Sequence, residues 1–395
     1  MTTPDIRPDY LPFGRPHFSE AEIEAVTKVL RSGWIGMGAE TVAFEQELAS
    51  AVGAPHVVTV DTCTSAIFLS LVAEGVAAGD EVITPSLTWC ATANASIYLG
   101  AKPVFCDVDP ETFCVTAESI ARRVTERTRA VVIVHYGGYA IDVRALRAAL
   151  PARVKIIEDA AHAFGSRYAD GTPVGSSGNL TCFSFYANKN LSTGEGGAVA
   201  LFDGEKAARI ASLRQNAQAA DAWKRFTHAN TVLLPGIREL GYKMNYTDLQ
   251  AAIGRHQLAR QPEFAVRRRA IAQRYAQALR SLPEIERVQA GATDERHARH
   301  LFVVSWNLTK LGRSRNDLLL ELRGRNVGAS VHYLPLHLMP YYRDIDPVEL
   351  QVTEHLASRI MTLPIGSAMS EADADYVVTH LRDLLATKQE KAHEH

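Results

Sequence analysis

The sequence predicts an α/β protein built on a large, mostly parallel, doubly wound sheet. Two observations carry that prediction. Seven short apolar runs, rich in Val and Ile and without polar alternation, read as strands covered on both faces: "HVVTV", "EVITP", "KPVFCDV", "RAVVIVHY", "VKIIEDA", "CFSFYA" and "GAVALF". Helical stretches separate the runs, and that alternation is the pattern of a doubly wound sheet. Ligands of such sheets gather at the carboxyl ends of the strands, so the residues after each run are the candidates for chemistry.

The elements follow in order. Ser19 and Glu22 fit a capping box, Ile23, Val26 and Leu30 follow at helical spacing, and Ser32-Gly33 stops this first helix. The seven runs come next. Beyond about residue 260 the texture changes. "EFAVRRRAIAQRYAQALRSL" reads as a long helix with basic residues on its wet face. It leads to a smaller α/β unit made of "HLFVVSWNL", the helix "RNDLLLELRGRN" and "ASVHYLPLHLMPYY". The chain thus divides into a large domain, 1–260, whose N-terminal segment is placed against the small domain, and a small C-terminal domain, 261–395. The polar tail after Lys388 is expected to fray.

Composition excludes several classes of function. A length of 395 residues suits two domains. A net charge of −2 leaves no footprint for nucleic acid or an anionic membrane. No apolar stretch is long enough for a membrane span, and "MTTPDIRPDY" holds no secretory core. The cysteines Cys63, Cys90, Cys106, Cys114 and Cys182 are odd in number and lack paired spacing. That points to reduced thiols in a cytoplasmic protein rather than to disulfides or zinc.

Four strand ends hold the candidate residues. After "HVVTV", Cys63, Thr64 and Ser65 open an apolar helix; its N-terminal N–H groups suit a phosphate, or Thr and Ser serve as an ordinary cap. After "EVITP", Trp89 offers a flat ring, or a core side chain. After "VKII" come Glu158 and Asp159, where a carboxylate needs a partner or caps the next helix. His162 stands three residues on, at a spacing that would share a helical face with Asp159. After "CFSFYA" comes Lys189, with Ser184 inside the run; alone, such a lysine is a solvated loop residue. Together, amine, carboxylate, flat aromatic and phosphate cradle are the four parts pyridoxal phosphate requires. A carboxylate ~4 Å from the pyridine nitrogen, at an effective dielectric near 20, gives about 4 kcal/mol before desolvation. No dinucleotide fingerprint or P-loop competes.

Seven collinear motifs carry a resemblance over nearly the whole chain, Leu11 to Val377: "SGWIGMG", "TPSLTWCATANA", "PVFCDVDPETF", "IIEDAAHAFGSRY", "FSFYANKNLSTGEGGAV", "GYKMNYTDLQAAIG" and "VHYLPLHLMPYY". The sequence resembles the DegT/DnrJ/EryC1/StrS aminotransferases, fold-type I pyridoxal-phosphate enzymes that aminate keto sugars, mostly nucleotide-linked. The resemblance implies that Lys189 is the Schiff-base lysine and proton shuttle and that Asp159 partners the pyridine nitrogen. It implies that Trp89 stacks on the ring and that His162 stands near the phenolic oxygen. Thr64, Ser65 and Ser184, with Cys63 in the same turn, match phosphate contacts. Asn245 matches a phosphate ligand lent by a neighbouring subunit, which implies a homodimer with shared active sites. Leu249, Ala252 and Ile253 then face that interface, or simply the core.

The implied reaction is ping-pong transamination, with glutamate as donor and a nucleotide-linked 4-keto-6-deoxyhexose as acceptor. "TGEGG", "VHYGG" and "GYKMN" resemble the members acting at carbon 4. Candidate substrate contacts are Trp34, Gly36 and Met37 of "SGWIGMG", with His332, Tyr333 and His337. The histidine pair has no third ligand beside it, so no metal is expected. Alternatives are a cyclitol aminotransferase and a cofactor-binding regulator without turnover. Three positions depart from the family pattern: Cys63, where Gly or Ser is frequent; Ala140, where Pro is frequent; and "GSAMS", which lacks a common Pro.

Overall fold

The computed structural model describes residues 4–218 and 236–393. All seven predicted runs are strands of one sheet: β1 His56–Val60, β2 Glu81–Pro85, β3 Lys102–Cys106, β4 Thr128–Val134, β5 Lys155–Asp159, β6 Leu180–Ser184 and β7 Gly197–Leu201. Their order is β1-β7-β6-β5-β4-β2-β3. β7 runs antiparallel to both neighbours, and the pairs from β6 across to β3 are parallel. The missing alternation has a simple cause. Val131 and Ile133 enter an apolar cluster on one face of the sheet, while Val132 enters the cluster on the other. Both faces are covered, so most positions are apolar.

Helix α1, Glu20–Ser32, has the predicted capping box at Ser19 and Glu22, and Gly33 ends it at φ 75°. Its apolar spacing does not mark its buried face. Glu22 and Val29 are buried, while Ile23 and Leu30 are 55% and 56% exposed. The reason is the neighbouring helix Asp248–Ala259 and the Arg260 that follows it. The Gln257 amide donates to Glu22 at 2.7 Å and the Arg260 guanidinium at 3.2 Å, so α1 turns a carboxylate inward and its aliphatic side out. Helix Asp248–Ala259 also packs on α2, Ala39–Val52, where a Cβ on Gly254 would lie 2.5 Å from the Phe44 ring. Ala252 belongs to that buried face, and Leu249 and Ile253 are half-buried.

A second sheet holds β8 Ile285–Val288, β9 Phe302–Trp306 and β10 Ile360–Leu363 in the antiparallel order β10-β9-β8. Helices Gln261–Leu279, Arg315–Gly324 and Glu371–His393 contribute to its core. Leu11 joins this core and pairs with Val327. "ASVHYLPLHLMPYY", expected in the small unit, divides between the two: Ala329 enters the second core and Ser330 bridges Thr362 of β10. Its Leu336 and Tyr342 cross back to pack with Ala93 of helix Ala91–Ile97 and Phe105 of β3, and Leu336 N–H donates to the Ser86 carbonyl. The chain after Lys388 continues the last helix to His393. No helix of the described residues is long and apolar enough to cross a membrane.

Candidate active site

A cavity of about 510 Å³ opens at the carboxyl ends of the large sheet's parallel strands. Each strand end delivers one component. β1 leads into α3, Cys63–Ala73, capped by Thr62, whose hydroxyl accepts from Ser65 N–H at 3.1 Å. Cys63 and Thr64 line the cavity from the first turn of that helix. Trp89 follows β2, Asp159 ends β5, Ser184 ends β6, and Lys189 lies in the β6–β7 connection. "GEGG" has a steric reason: a Cβ on Gly197 would lie 2.6 Å from Cys63 N, so only glycine lets β7 pass the first turn of α3.

The cavity sets its charges by burial. Lys189 loses hydration, and its amine is pushed down to about 8 although Cys63 and Asp159 pull the other way. Burial raises the Asp159 carboxyl, opposed by the Ala161 N–H at 3.1 Å, the Thr92 hydroxyl at 2.8 Å and the charge of Lys189. The Cys63 thiol, 4.0 Å from Asp159 Oδ1, is pushed well up by burial and by that carboxylate. His162 is held well below its ordinary value by burial and then by Lys189 and His332. Its Nδ1 accepts from Gly137 N–H at 3.3 Å, so the ring proton sits on Nε2, 3.2 Å from the Tyr333 hydroxyl.

Of the candidates, Cys63, Thr64, Trp89, Asp159, His162, Ser184, Lys189, His332 and Tyr333 line this cavity. The others do not. Asp159 and His162 share no helix; β5 runs through Asp159 and a turn follows. Ser65 is buried behind the first turn, its hydroxyl 2.9 Å from that of Thr62. His337 is corrected as a cavity residue. It is buried, with Nδ1 2.6 Å from the Ser86 hydroxyl and Nε2 3.2 Å from Glu354, so it fastens the crossing segment. Trp34, Gly36 and Met37 form a loop beside α2. Trp34 Nε1 donates to Met37 O, and Gly36 O accepts from the N–H of Asp248, whose carboxylate caps α2. The Asn245 amide donates to Tyr246 O, outside the cavity.

Sequence reasoning missed several residues. Thr92 bonds Asp159, and its signal was its place one turn after Trp89. Gly137 fixes the His162 tautomer from a backbone at φ 68°, and "HYGG" was the available hint. Glu158, which the sequence singled out together with Asp159, occupies the opposite face of β5. It accepts from His135 Nε2 at 2.8 Å, Tyr168 at 2.6 Å, Asn179 at 2.8 Å and the Ser177 hydroxyl. His300 stacks on His162, with ring centroids 4.4 Å apart.

The donor set fits pyridoxal phosphate: an amine able to bond an aldehyde, a buried carboxylate for a pyridine nitrogen, an exposed indole face, and a helix N-terminus beside a hydroxyl for a phosphate. Fold and cavity together define a pyridoxal-phosphate-dependent aminotransferase of fold-type I. The chain belongs to the DegT/DnrJ/EryC1/StrS aminotransferase family, whose profile matches residues 16–382. The spore coat polysaccharide biosynthesis protein SpsC of Bacillus subtilis (strain 168) is 40% identical over 384 residues, covering 96% of this chain and 98% of SpsC. A Streptococcus pneumoniae protein described as a sugar aminotransferase and solved in its PLP form is 29% identical, with a TM-score of 0.87 over 96% of this chain and 99% of that one. DesI, solved in the presence of its TDP-sugar product, is 30% identical, with a TM-score of 0.87 over 99% and 97% of the two chains.

Proposed function

We propose that this aminotransferase moves the amino group of glutamate onto a nucleotide-linked 4-keto-6-deoxyhexose. The observation that carries the reading is the meeting of Lys189 and Asp159 in one cavity under an exposed tryptophan. When bound, pyridoxal phosphate supplies an electron sink. Lys189 Nζ would hold the cofactor's aldehyde carbon in the resting enzyme. When free, its amine, lowered by burial to about 8, would have a far larger neutral fraction than an exposed lysine, and that fraction could move the proton between donor and acceptor carbons. Asp159 would hold the charge of the pyridine nitrogen, with Thr92 fixing the carboxylate's second oxygen. Trp89 would cover the ring, His162 Nε2–H would serve the phenolic oxygen, and the first turn of α3 with Ser184 would hold the phosphate.

The sugar substrate rests on family membership and on DesI, which was solved with a TDP-sugar product. The enzyme works as a homodimer. Trp34–Met37 and Asn245 do not line their own cavity, and Ile23, Leu30, Ile35 and Val42, on and between α1 and α2, are exposed. A second copy that covers this apolar surface would receive both groups at its own cavity. The cysteines are all free, which supports a reducing cytoplasm. The test incubates purified protein with glutamate and a panel of thymidine-, uridine- and guanosine-linked 4-keto sugars, and detects amino sugar by mass spectrometry. Product from at least one member is expected. Silence across the panel with turnover of scyllo-inosose establishes the cyclitol reading, and a visible cofactor band without any transfer establishes the regulator.

A further inference from the structure

His300 lies outside the cavity lining, on the segment that enters β9 of the second sheet, yet it touches the residue that serves the cofactor. Its ring stacks on His162 at 4.4 Å and 35°. Asn190, next to Lys189 in the chain, fixes His300 in turn. The Asn190 amide nitrogen donates to Phe164 O at 3.4 Å and Ala298 O at 3.0 Å, so its oxygen is the atom 3.3 Å from His300 Nδ1. His300 therefore carries its proton on Nδ1. His162 is now bounded on three sides: Gly137 N–H at Nδ1, Tyr333 at Nε2 and the His300 ring against its face. The charged or titratable groups facing this pair are Lys189, His332, Arg268, Tyr333 and Tyr136, whose ring lies 6.1 Å from that of His162. Arg268 is buried and, among the described residues, donates to the carbonyls of Arg299 and Ile365 rather than to a carboxylate.

We propose that His300 is a positioning residue: clamped by Asn190, it holds the His162 ring in the one orientation that turns Nε2–H toward the cavity. The inference rests on reading the cavity as the cofactor site. It also gives the second sheet a purchase on the chemistry, because His300 stands just before β9 while His162 follows β5.

The test uses the reconstituted holoenzyme, with His300→Ala and His300→Phe. A hydrogen-bond donor at the cofactor's phenolic oxygen stabilises that oxygen's charged form and lowers the pH at which the visible band titrates. A slackened His162 donates poorly. His300→Ala is expected to raise the band's pH midpoint by about half a unit or more. It should also lower kcat about tenfold, with KM for either substrate changing less. His300→Phe keeps a ring against His162 but loses the bond to Asn190, and should shift the midpoint in the same direction by less. It also keeps the test open if the alanine variant fails to fold. Folded variants whose bands titrate like wild type, with kcat unchanged, would overturn the proposal. A wild-type protein with no visible band would instead sink the cofactor reading of the cavity.

Discussion

Glu158 and Asp159 are neighbours in sequence, both buried, on opposite faces of the same strand, and their surroundings give them opposite fates. Glu158 faces a closed polar network with four donor side chains. Burial pushes its carboxyl up, but the His135, Ser177 and Tyr168 bonds more than offset that and hold it below its ordinary 4.5. Asp159 faces the cavity with fewer donors, and burial leaves its carboxyl above its ordinary 3.8. One carboxylate is satisfied by the fold. The other is left short of partners, which is the condition for holding a cation that arrives from outside. A functional carboxylate is thus distinguished from a structural one by what the fold withholds from it.

The comparison breaks most readily on the cavity side. Lys189→Ala removes the only amine among the described lining residues and is expected to lower transamination by at least about 10⁴-fold, with loss of the visible band. Asp159→Asn keeps the shape and removes the charge. The expected loss is about 10²–10³-fold in kcat, the scale of one ion pair in a partly screened site. The fold should not suffer. A carboxyl raised in the folded state contributes stability below its ordinary pKa and loses it as pH rises through the raised value. Cofactor-free Asp159→Asn should therefore melt no lower than cofactor-free wild type at pH 7. A lower Tm would show that Asp159 is structural after all.

Glu158→Gln is expected to do the reverse. An amide in place of the carboxylate faces Ser177 and Asn179 with a donor where both need an acceptor. The cost is about 2–3 kcal/mol of stability, read as a fall in Tm at pH 7, with kcat within a few-fold of wild type. The sign with pH is opposite to that of Asp159. A carboxyl lowered in the folded state stabilises above its ordinary value, here 4.5, and that share is lost as pH falls through the folded value. The Tm gap between wild type and Glu158→Gln should close as the pH drops below about 4.5. A gap that stays constant there would leave the carboxylate's charge without a role.

Much of this was legible in the sequence, for physical reasons. Strands covered on both faces are mostly apolar, so seven runs could be read as seven strands, and the strand-end rule then led to Lys189, Asp159 and Trp89. What stayed hidden depends on groups far apart in the chain. The inward face of α1 is set by Gln257 and Arg260, more than 200 positions away, so its apolar spacing pointed to the wrong side. His337 and His332 looked like a pair, but Ser86 and Glu354 claim the first while the second reaches the cavity. Spacing could not separate Glu158 from Asp159, because adjacent residues in a strand face opposite ways whichever of them is the functional one.

Trp89 offers the smallest and finest test. Its ring is 62% exposed and tilted 50° to Tyr333 at 5.8 Å, so it contributes little to the folded core. If its face is kept for the cofactor, truncation should cost binding and spare the fold, the behaviour of Asp159 rather than of Glu158. Trp89→Ala is expected to lose about 0.5–1.5 kcal/mol of stacking, a two- to roughly tenfold weaker Kd for pyridoxal phosphate, measured by titrating the visible band. Trp89→Phe should keep most of that, because a flat ring remains. Cofactor-free Tm should stay put in both, since an exposed side chain leaves no cavity behind when it is cut back. If cofactor-free Trp89→Ala melts well below wild type while its Kd is unchanged, the indole belongs with Glu158 among the groups the fold has already satisfied.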